Sequence, residues 1–331
     1  MEPRYIASTR LLLAFLAAIF AVRAYQAATQ PIRPAEAYTY DRFVRPSARQ
    51  VLAQELPNRD VLYTLLEKRS VGLFHVSPFS VRLPSLLFAI LYLWSAWRLA
   101  RRILGTGWRF FAAVALAGLF ALWWGGFARA QGPGAAVALQ VCAVQLALSV
   151  KPRNLNLAGA CLGLSIAACL DFAIPAAALA LGFLAVHRRW VLWTDRVLIP
   201  AAVVALVFLV LPLSHAHAGS EAPPDLAASP ASAIRALRSI AGNNRVRIGV
   251  SPGVEPIMNF YRAQYRLTAW ERVERWDRAA PWDRAQRDLA AGDFDYYLLA
   301  KPDAGYVDQR HLIVLYRDAD FVLARRSYDA M

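Results

Sequence analysis

The apolar residues of this chain are gathered into uncharged blocks that are separated by short charged segments. Several blocks are shorter than the roughly 20 residues that a helix needs to cross about 30 Å of hydrocarbon. Flanking arginines can extend to the membrane surface, so the first helix should continue past Arg23 to about Ala28. The pattern predicts seven transmembrane helices, at Leu11 to Val22, Leu83 to Trp97, Phe110 to Ala128, Ala130 to Val150, Asn154 to Leu170, Phe172 to His187 and Val197 to Ser214.

Two of these blocks leave an alternative open. The first block also fits a cleaved signal peptide, because Arg4 and Arg10 precede a short apolar core, although Arg23 and Tyr25 are unusual beside a cleavage site. The fifth and sixth blocks are separated only by Asp171, so one kinked segment would also fit. The combined stretch is too long for a single crossing, which favours two helices.

The charges favour one orientation. Basic residues cluster in the loops after the second, fourth and sixth blocks, whereas the alternate short loops hold only Arg129 and Asp171. Cytoplasmic loops are enriched in Lys and Arg, so the N-terminus is predicted to be cytoplasmic and the C-terminal part external. The first loop, 29–82, is then external in spite of its many arginines, because loops near this length cross largely regardless of charge.

The composition agrees with a membrane protein that meets anionic partners. Hydrophobic residues make up 58% of the chain, and the formal net charge is +14, a combination that soluble domains rarely show. The external placement and the lack of a recognition motif argue against nucleic acid as a partner and favour phosphate-bearing lipids. The three cysteines all lie in apolar blocks, so no disulfide or thiolate metal site is expected.

The pattern changes after the last apolar block. We expect a transmembrane module over 1–217 with its external loop at 29–82, a linker and helix over 218–240, and an external α/β domain over 241–331. The last domain is predicted to hold helices at 255–262 and 282–291 and strands at 245–250, 294–300, 312–317 and 321–325. The last two strands are expected to form a hairpin around Asp318. No nucleotide-binding glycine motif follows its first strand.

The first loop and its flanks carry short motifs that resemble a known group of proteins. They are Ala35-Glu36-Ala37-Tyr38-Thr39-Tyr40, Leu56-Pro57-Asn58, Ser77-Pro78-Phe79, Arg82-Leu83-Pro84-Ser85 and Phe127-Ala128-Arg129-Ala130-Gln131. Together they resemble the GT-C membrane glycosyltransferases, and most closely the bacterial protein-mannosyltransferase and lipid A aminoarabinose transferase group. The resemblance implies a polytopic helical protein with a small soluble α/β domain.

The resemblance also implies an activity: a sugar moves from a polyprenyl-phosphate carrier to an envelope acceptor on the outer face of the bacterial cytoplasmic membrane. Such a reaction needs a carboxylate that takes the proton of the acceptor hydroxyl, and cations that stabilise the departing phosphate. The expected partners are the lipid-linked sugar, membrane lipids and a glycan, lipid or protein acceptor. The resemblance implies no certain cofactor, and a divalent metal stays open because some members of the fold use one.

Some candidate site residues follow from matching the motifs, and others follow from their charge or position in the chain. Glu36 is the candidate base, with Asp41 or Asp60 assisting or replacing it, and the substrate-binding candidates are Arg59, Arg129, Asp171 and Tyr38. The sequence departs from the usual pattern, because Ala35 stands where an aspartate precedes Glu36, and Arg59 and Asp60 stand where a histidine is common. The departures favour an alternative, a non-catalytic relative that binds a lipid-linked sugar or organises an envelope complex.

Overall fold

The structure, a computed structural model, describes residues 3–45, 60–149, 151–186, 194–213, 229–251, 253–271, 273–275, 294–309 and 311–326. Contacts between Cα atoms divide the chain into two compact units. The helical unit consists of Met1–Gln30 and Pro46–Ser220, and the α/β unit consists of Pro31–Arg45 and Glu221–Met331. The expected α/β domain is therefore joined by a short segment that comes from the first loop.

The described residues are mostly helical. In chain order, the α-helices are α1 (Pro3–Thr29), α2 (Pro34–Thr39), α3 (Val61–Phe74), α4 (Pro78–Leu104), α5 (Trp108–Trp123), α6 (Gly132–Ala147), α7 (Pro152–Ala168), α8 (Ala173–Val186), α9 (Ile199–Leu213), α10 (Ala231–Ala241), α11 (Val254–Gln264) and α12 (Gly305–Gln309). Each of the seven apolar blocks coincides with one of these helices, and α1 continues past Arg23 as expected. A 3-10 turn, Leu170–Phe172, separates α7 from α8 and confirms two helices there.

Two helices of the described residues are long and apolar enough to cross a membrane, judged by length and composition. They are Thr9–Thr29 within α1 and Pro78–Leu104, which is α4. Other apolar helices are shorter, and include Trp108–Trp123 and Gly132–Ala147. Helix α4 begins sharply because the Ser77 hydroxyl accepts a hydrogen bond from the Ser80 N–H at 3.0 Å and Pro78 occupies the first helical position.

Small residues let the helices of the helical unit approach one another closely. Gly159 and Gly163 of α7 face the main chain at Val197 and Ala201, where an added methyl group would meet a carbonyl oxygen. Gly132 at the start of α6 faces the carbonyl of Ala168 at the end of α7 in the same way. Close backbone approach through small residues is typical of helices that associate in lipid, where apolar surface alone gives little driving force.

Large apolar side chains cover much of the outside of the helical unit. The exposed fraction is 85% for Trp123, 81% for Ile174, 75% for Trp108 and 73% for Leu11. Extensive apolar exposure marks a surface that meets a partner or a membrane. The exposure is what lipid contact would require.

The α/β unit is built on a five-stranded sheet in the order β2-β1-β3-β5-β4. Its strands are β1 (Ile248–Val250), β2 (Glu274–Arg275), β3 (Tyr296–Ala300), β4 (Ile313–Arg317) and β5 (Phe321–Arg325). β1 is parallel to β2 and β3, whereas β5 is antiparallel to β3 and β4. The four predicted strands and the helix at 255–262 are confirmed, β2 was not predicted, and the helix expected at 282–291 lies outside the described residues.

The turn between β4 and β5 is fixed by one carboxylate. Asp318 Oδ1 accepts the N–H groups of Asp320 and Phe321 at 2.9 and 2.7 Å, and its Oδ2 accepts the hydroxyls of Ser232 and Tyr316 at 3.0 and 3.3 Å. Burial opposes ionisation, but these four donors outweigh it and lower the pKa of Asp318. Through the hydroxyl of Ser232, the hairpin predicted around this residue is also bonded to α10.

Candidate functional site

The structure divides the candidate residues between the two units. Asp60, Arg129 and Asp171 belong to the helical unit, whereas Glu36, Tyr38 and Asp41 belong to the α/β unit. Arg59 lies outside the described residues. Each group is therefore considered within its own unit.

Asp60, Arg129 and Asp171 lie at the end of the helical unit where α1, α5 and α7 finish and α4, α6 and α8 begin. We call this end the Asp60 end. Hydrogen bonds between the helices define it. Arg23 near the end of α1 donates to the carbonyls of Ala121 and Trp124 at the end of α5, at 3.1 and 3.2 Å. Arg82 at the start of α4 donates to the carbonyls of Ala27 and Gln30, at 3.2 and 2.8 Å.

Asp60 directly precedes α3 and reaches a different helix. Its Oδ2 accepts the N–H of Gly132 at 3.0 Å, at the first turn of α6. A negative charge is favoured at a helix N-terminus, and a hydrogen bond to the ionised carboxylate stabilises it further. The contact needs glycine, because a Cβ at position 132 would lie 2.8 Å from Asp60 Cγ and would overlap the Ala168 carbonyl.

Asp171 lies in the 3-10 turn that joins α7 to α8, and its side chain is exposed. Cys169, just before this turn, interacts electrostatically with both Asp60 and Asp171. The turn is tied to α6 because the Gln140 side chain donates to the Phe172 carbonyl at 3.3 Å. Two carboxylates that are distant in sequence are therefore brought to one end of the helix bundle.

Arg129 lies three residues before Gly132, on the segment that leads into α6. Its carbonyl accepts the hydroxyl of Ser85 at 2.5 Å, and that hydroxyl also bonds to the Tyr63 hydroxyl at 3.0 Å. The guanidinium lies over Gly125, where an added Cβ would be 3.1 Å from Arg129 Nε. Sequence reasoning missed Ser85, although it lies in one of the motifs that carried the resemblance.

Two other arginines at this end donate hydrogen bonds to main-chain carbonyl oxygens. Arg82 is 1% exposed and Arg23 is 7% exposed, and both donate to carbonyl oxygens near helix ends. Arg82 is the last residue of the loop predicted at 29–82, but its Nη1 donates to carbonyls at the C-terminal end of α1. Among the described residues, Arg129 is consequently the cation at this end that is best suited to a phosphate.

Glu36 and its neighbours form part of the α/β unit. Glu36 is fully buried, and its Oε2 accepts the N–H of Arg33 at 2.9 Å, which caps the start of α2. Asp41 lies in a π-helical turn, Tyr40–Val44, and pairs with Arg45 at 3.0 Å. Tyr38 has the Arg42 guanidinium 5.9 Å from its ring centroid. These are the contacts of groups that stabilise their own segment.

The same segment packs on the α/β unit through aromatic contact. The Tyr40 ring meets Phe260 of α11 edge to face, with 5.2 Å between the centroids. Ile32 is fully buried, and its carbonyl accepts the Ser229 hydroxyl at 3.5 Å. The segment therefore contributes to the hydrophobic core of this unit.

Comparisons of the chain with family models, with characterised proteins and with solved structures give no match. Among the residues that the structure describes, no three His, Cys, Asp or Glu side chains are grouped so that they would hold a metal ion.

Proposed function

We propose that this chain is a multi-spanning protein of the bacterial cytoplasmic membrane that transfers a sugar from a polyprenyl-phosphate carrier to an envelope acceptor. The observation that supports this best is the Asp60 end, which holds two carboxylates and Arg129 at one end of the helical unit. In the proposed topology all seven apolar helices span the membrane, the N-terminus is cytoplasmic, and the Asp60 end and the α/β unit face outward. The fold in this proposal is GT-C-like.

The chemistry assigns one role to each group. The Asp60 carboxylate takes the proton of the acceptor hydroxyl while the acceptor oxygen attacks the anomeric carbon of the sugar. The bond between that carbon and the carrier phosphate oxygen breaks, and Arg129 stabilises the negative charge on the departing phosphate. An ionised carboxylate has about four acceptor positions, so the bond from Gly132 is compatible with this role. Asp60 is preferred to Glu36 because Asp60 belongs to the same unit as Arg129 and Asp171.

A second candidate function is binding of the lipid-linked sugar without transfer. Two contacts favour it. Glu36 caps α2 and Asp41 pairs with Arg45, so two of the three candidate bases have structural roles. In this case Arg129 would still hold the carrier phosphate. The two functions differ only in whether Asp60 removes a proton.

The test is sugar transfer from a labelled polyprenyl-phosphate donor by the full-length protein in proteoliposomes, together with a separate measurement of donor binding. Asp60→Asn keeps an oxygen that can accept the Gly132 N–H but cannot act as a base. We expect transfer to fall about 10²- to 10⁴-fold, with donor binding changed less than about threefold. Arg129→Gln should weaken donor binding about tenfold.

Glu36→Gln is the matched control, because it removes the charge of a carboxylate that also accepts a main-chain N–H. We expect it to retain transfer within a few-fold of wild type. Loss of transfer in Glu36→Gln with retention in Asp60→Asn would move the base to Glu36. Donor binding without product in wild type would support the second candidate, and absence of both would contradict the proposal.

A further inference from the structure

A groove runs between α1 and α4, away from the Asp60 end. It has a volume of about 640 Å³, which is within the usual range for a small-molecule site. Helix α1 lines it with residues that share one face, among them Leu13, Ala17 and Phe20. Leu13 is 51% exposed, so the groove is open along its side.

Helix α4 gives the groove an apolar wall and a basic end. Trp94 and Trp97 line the wall, and Arg98 and Arg101 lie one turn further on, near the C-terminus of α4. The Arg98 guanidinium lies 5.3 Å from the centroid of the Trp94 ring, so cation–π attraction holds it beside the apolar wall. Tryptophan and arginine in this order are typical of the level where hydrocarbon meets lipid headgroups.

The positive charge at the basic end is not balanced by a carboxylate within the described part of the chain. No carboxylate lines the groove, and none lies within ion-pairing distance of Arg98 or Arg101 there. Two guanidiniums one helical turn apart can both reach one phosphate group, with bidentate hydrogen bonds. The apolar wall continues from them toward the middle of α4 for about 12 Å, judged from the helical rise.

We propose that this groove binds an anionic glycerophospholipid of the surrounding membrane. Its phosphate lies between Arg98 and Arg101, and an acyl chain lies along Ala17, Phe20 and Trp94. Charge complementarity and the apolar wall argue for a lipid and against a free anion, because a soluble phosphate would leave the wall uncovered. Basic pockets between transmembrane helices recognise lipid headgroups in this way. The site is separate from the proposed transfer reaction and does not depend on it.

The experiment measures lipid retention by native mass spectrometry on the full-length protein in mild detergent, titrated with phosphatidylglycerol, with phosphatidylcholine of the same chains, and with glycerol 3-phosphate. We expect phosphatidylglycerol to bind at least about tenfold more tightly than either of the others. Arg98→Gln and Arg101→Gln should each weaken its binding about fivefold, and the double variant about 30-fold.

Two controls are matched by position. Arg102→Gln removes the same charge from the next residue of α4, which does not line the groove, and should change binding less than about twofold. Ala17→Trp should fill the groove and weaken binding, whereas Ala18→Trp, at an exposed neighbour outside the groove, should not. These tryptophan variants keep every basic residue, so they report the acyl part separately.

Three results would overturn the proposal. One is equal binding of phosphatidylglycerol and phosphatidylcholine, which would leave only a nonspecific apolar groove. Another is an equal loss in Arg101→Gln and Arg102→Gln, which would indicate general surface charge. The third is tight binding of glycerol 3-phosphate, which would indicate a soluble ligand.

Discussion

Asp60 and Glu36 make the same kind of contact in the two units, but over very different distances along the chain. Each carboxylate accepts a main-chain N–H at the start of a helix. Glu36 caps the helix that contains it, three residues away, whereas Asp60 reaches α6, which starts 72 residues later. The first contact forms as soon as α2 forms, and the second requires the helices to be assembled.

This difference separates a local contribution to stability from one that is shared by several elements. A helix cap of the Glu36 kind contributes about 1 kcal/mol to its own helix. The contact between Asp60 and Gly132 depends on α3, α6 and α7 together, because Gly132 also approaches Ala168. Changes at the second place should therefore affect the whole helical unit.

The largest effect is expected from Gly132→Ala. The new methyl group would overlap the Ala168 carbonyl and crowd Asp60, so α6 and α7 must separate. We expect a destabilisation of about 3 kcal/mol and a melting temperature lower by about 6 to 12 °C. A thiol-reactive dye that reports exposure of the buried Cys142 and Cys169 would measure it in detergent.

The control for this change is Gly182→Ala in α8, where no atom lies within 4 Å of the added Cβ. It should leave the helical unit unchanged or stabilise it by about 0.5–1 kcal/mol through helix propensity. Equal melting temperatures for the two variants would show that the approach of α6 to α7 is not tight.

A smaller, local effect is expected from Glu36→Ala. It leaves the Arg33 N–H without its acceptor, at a partly buried position, and should cost about 1 kcal/mol. Faster hydrogen exchange of α2 and of the α11 amides that pack beside it would report the loss. Glu271→Gln removes a partly exposed carboxylate that pairs with Arg245 and should change exchange little. Slower exchange than wild type in Glu36→Ala would refute the capping role.

The smallest effect concerns Asp318 and depends on pH. Its pKa is lowered in the folded state, so its contribution is fully present above the unfolded value of about 3.9 and is lost as pH falls through the folded pKa. Asp318→Asn should be less stable than wild type by about 1 kcal/mol at pH 6 and equal to it at the lowest pH. Hydrogen exchange of β4 and β5, corrected for the intrinsic rate at each pH, would measure the difference.

A constant difference at every pH would show that the four donors to Asp318 act without regard to its charge. The exposed Asp320 provides the comparison, since Asp320→Asn changes the net charge of the same turn equally. At pH 6 it should change hydrogen exchange of β4 and β5 less than Asp318→Asn does, because the donors converge on Asp318.

The sequence predicted the elements that are determined by the pattern of their own residues. The seven apolar blocks form helices, and the hairpin turn contains Asp318 as expected. Helix α3 was assigned to a loop, because Glu67, Lys68 and Arg69 interrupt its apolar pattern. Partial burial lowers the pKa of Lys68, and the neighbouring Glu67 is fully buried, so packing covers part of a segment that the sequence presents as polar.

The arrangement of the candidate site was not predictable from neighbouring residues. The sequence placed Glu36 and Asp60 in one external loop, whereas the structure assigns them to different units. The partner of Tyr40 is Phe260, and nothing near Tyr40 in the sequence indicates that contact. In the sequence Arg82 stands at the end of a charged loop, but in the structure its guanidinium donates to the carbonyls of Ala27 and Gln30.

The segment 31–45 has a consequence for biosynthesis. It leaves the ribosome early, yet Phe260, which covers Tyr40, is made after all the helices of the helical unit. At a synthesis rate of about 5 to 20 residues per second, roughly 10 to 40 s pass between the synthesis of this segment and that of Phe260. During that interval Ile32 and Tyr40 are uncovered, so the α/β unit completes its core only once translation is nearly finished. A ribosome that stalls after the last apolar helix would release a chain with an assembled helix bundle and an aggregation-prone loop.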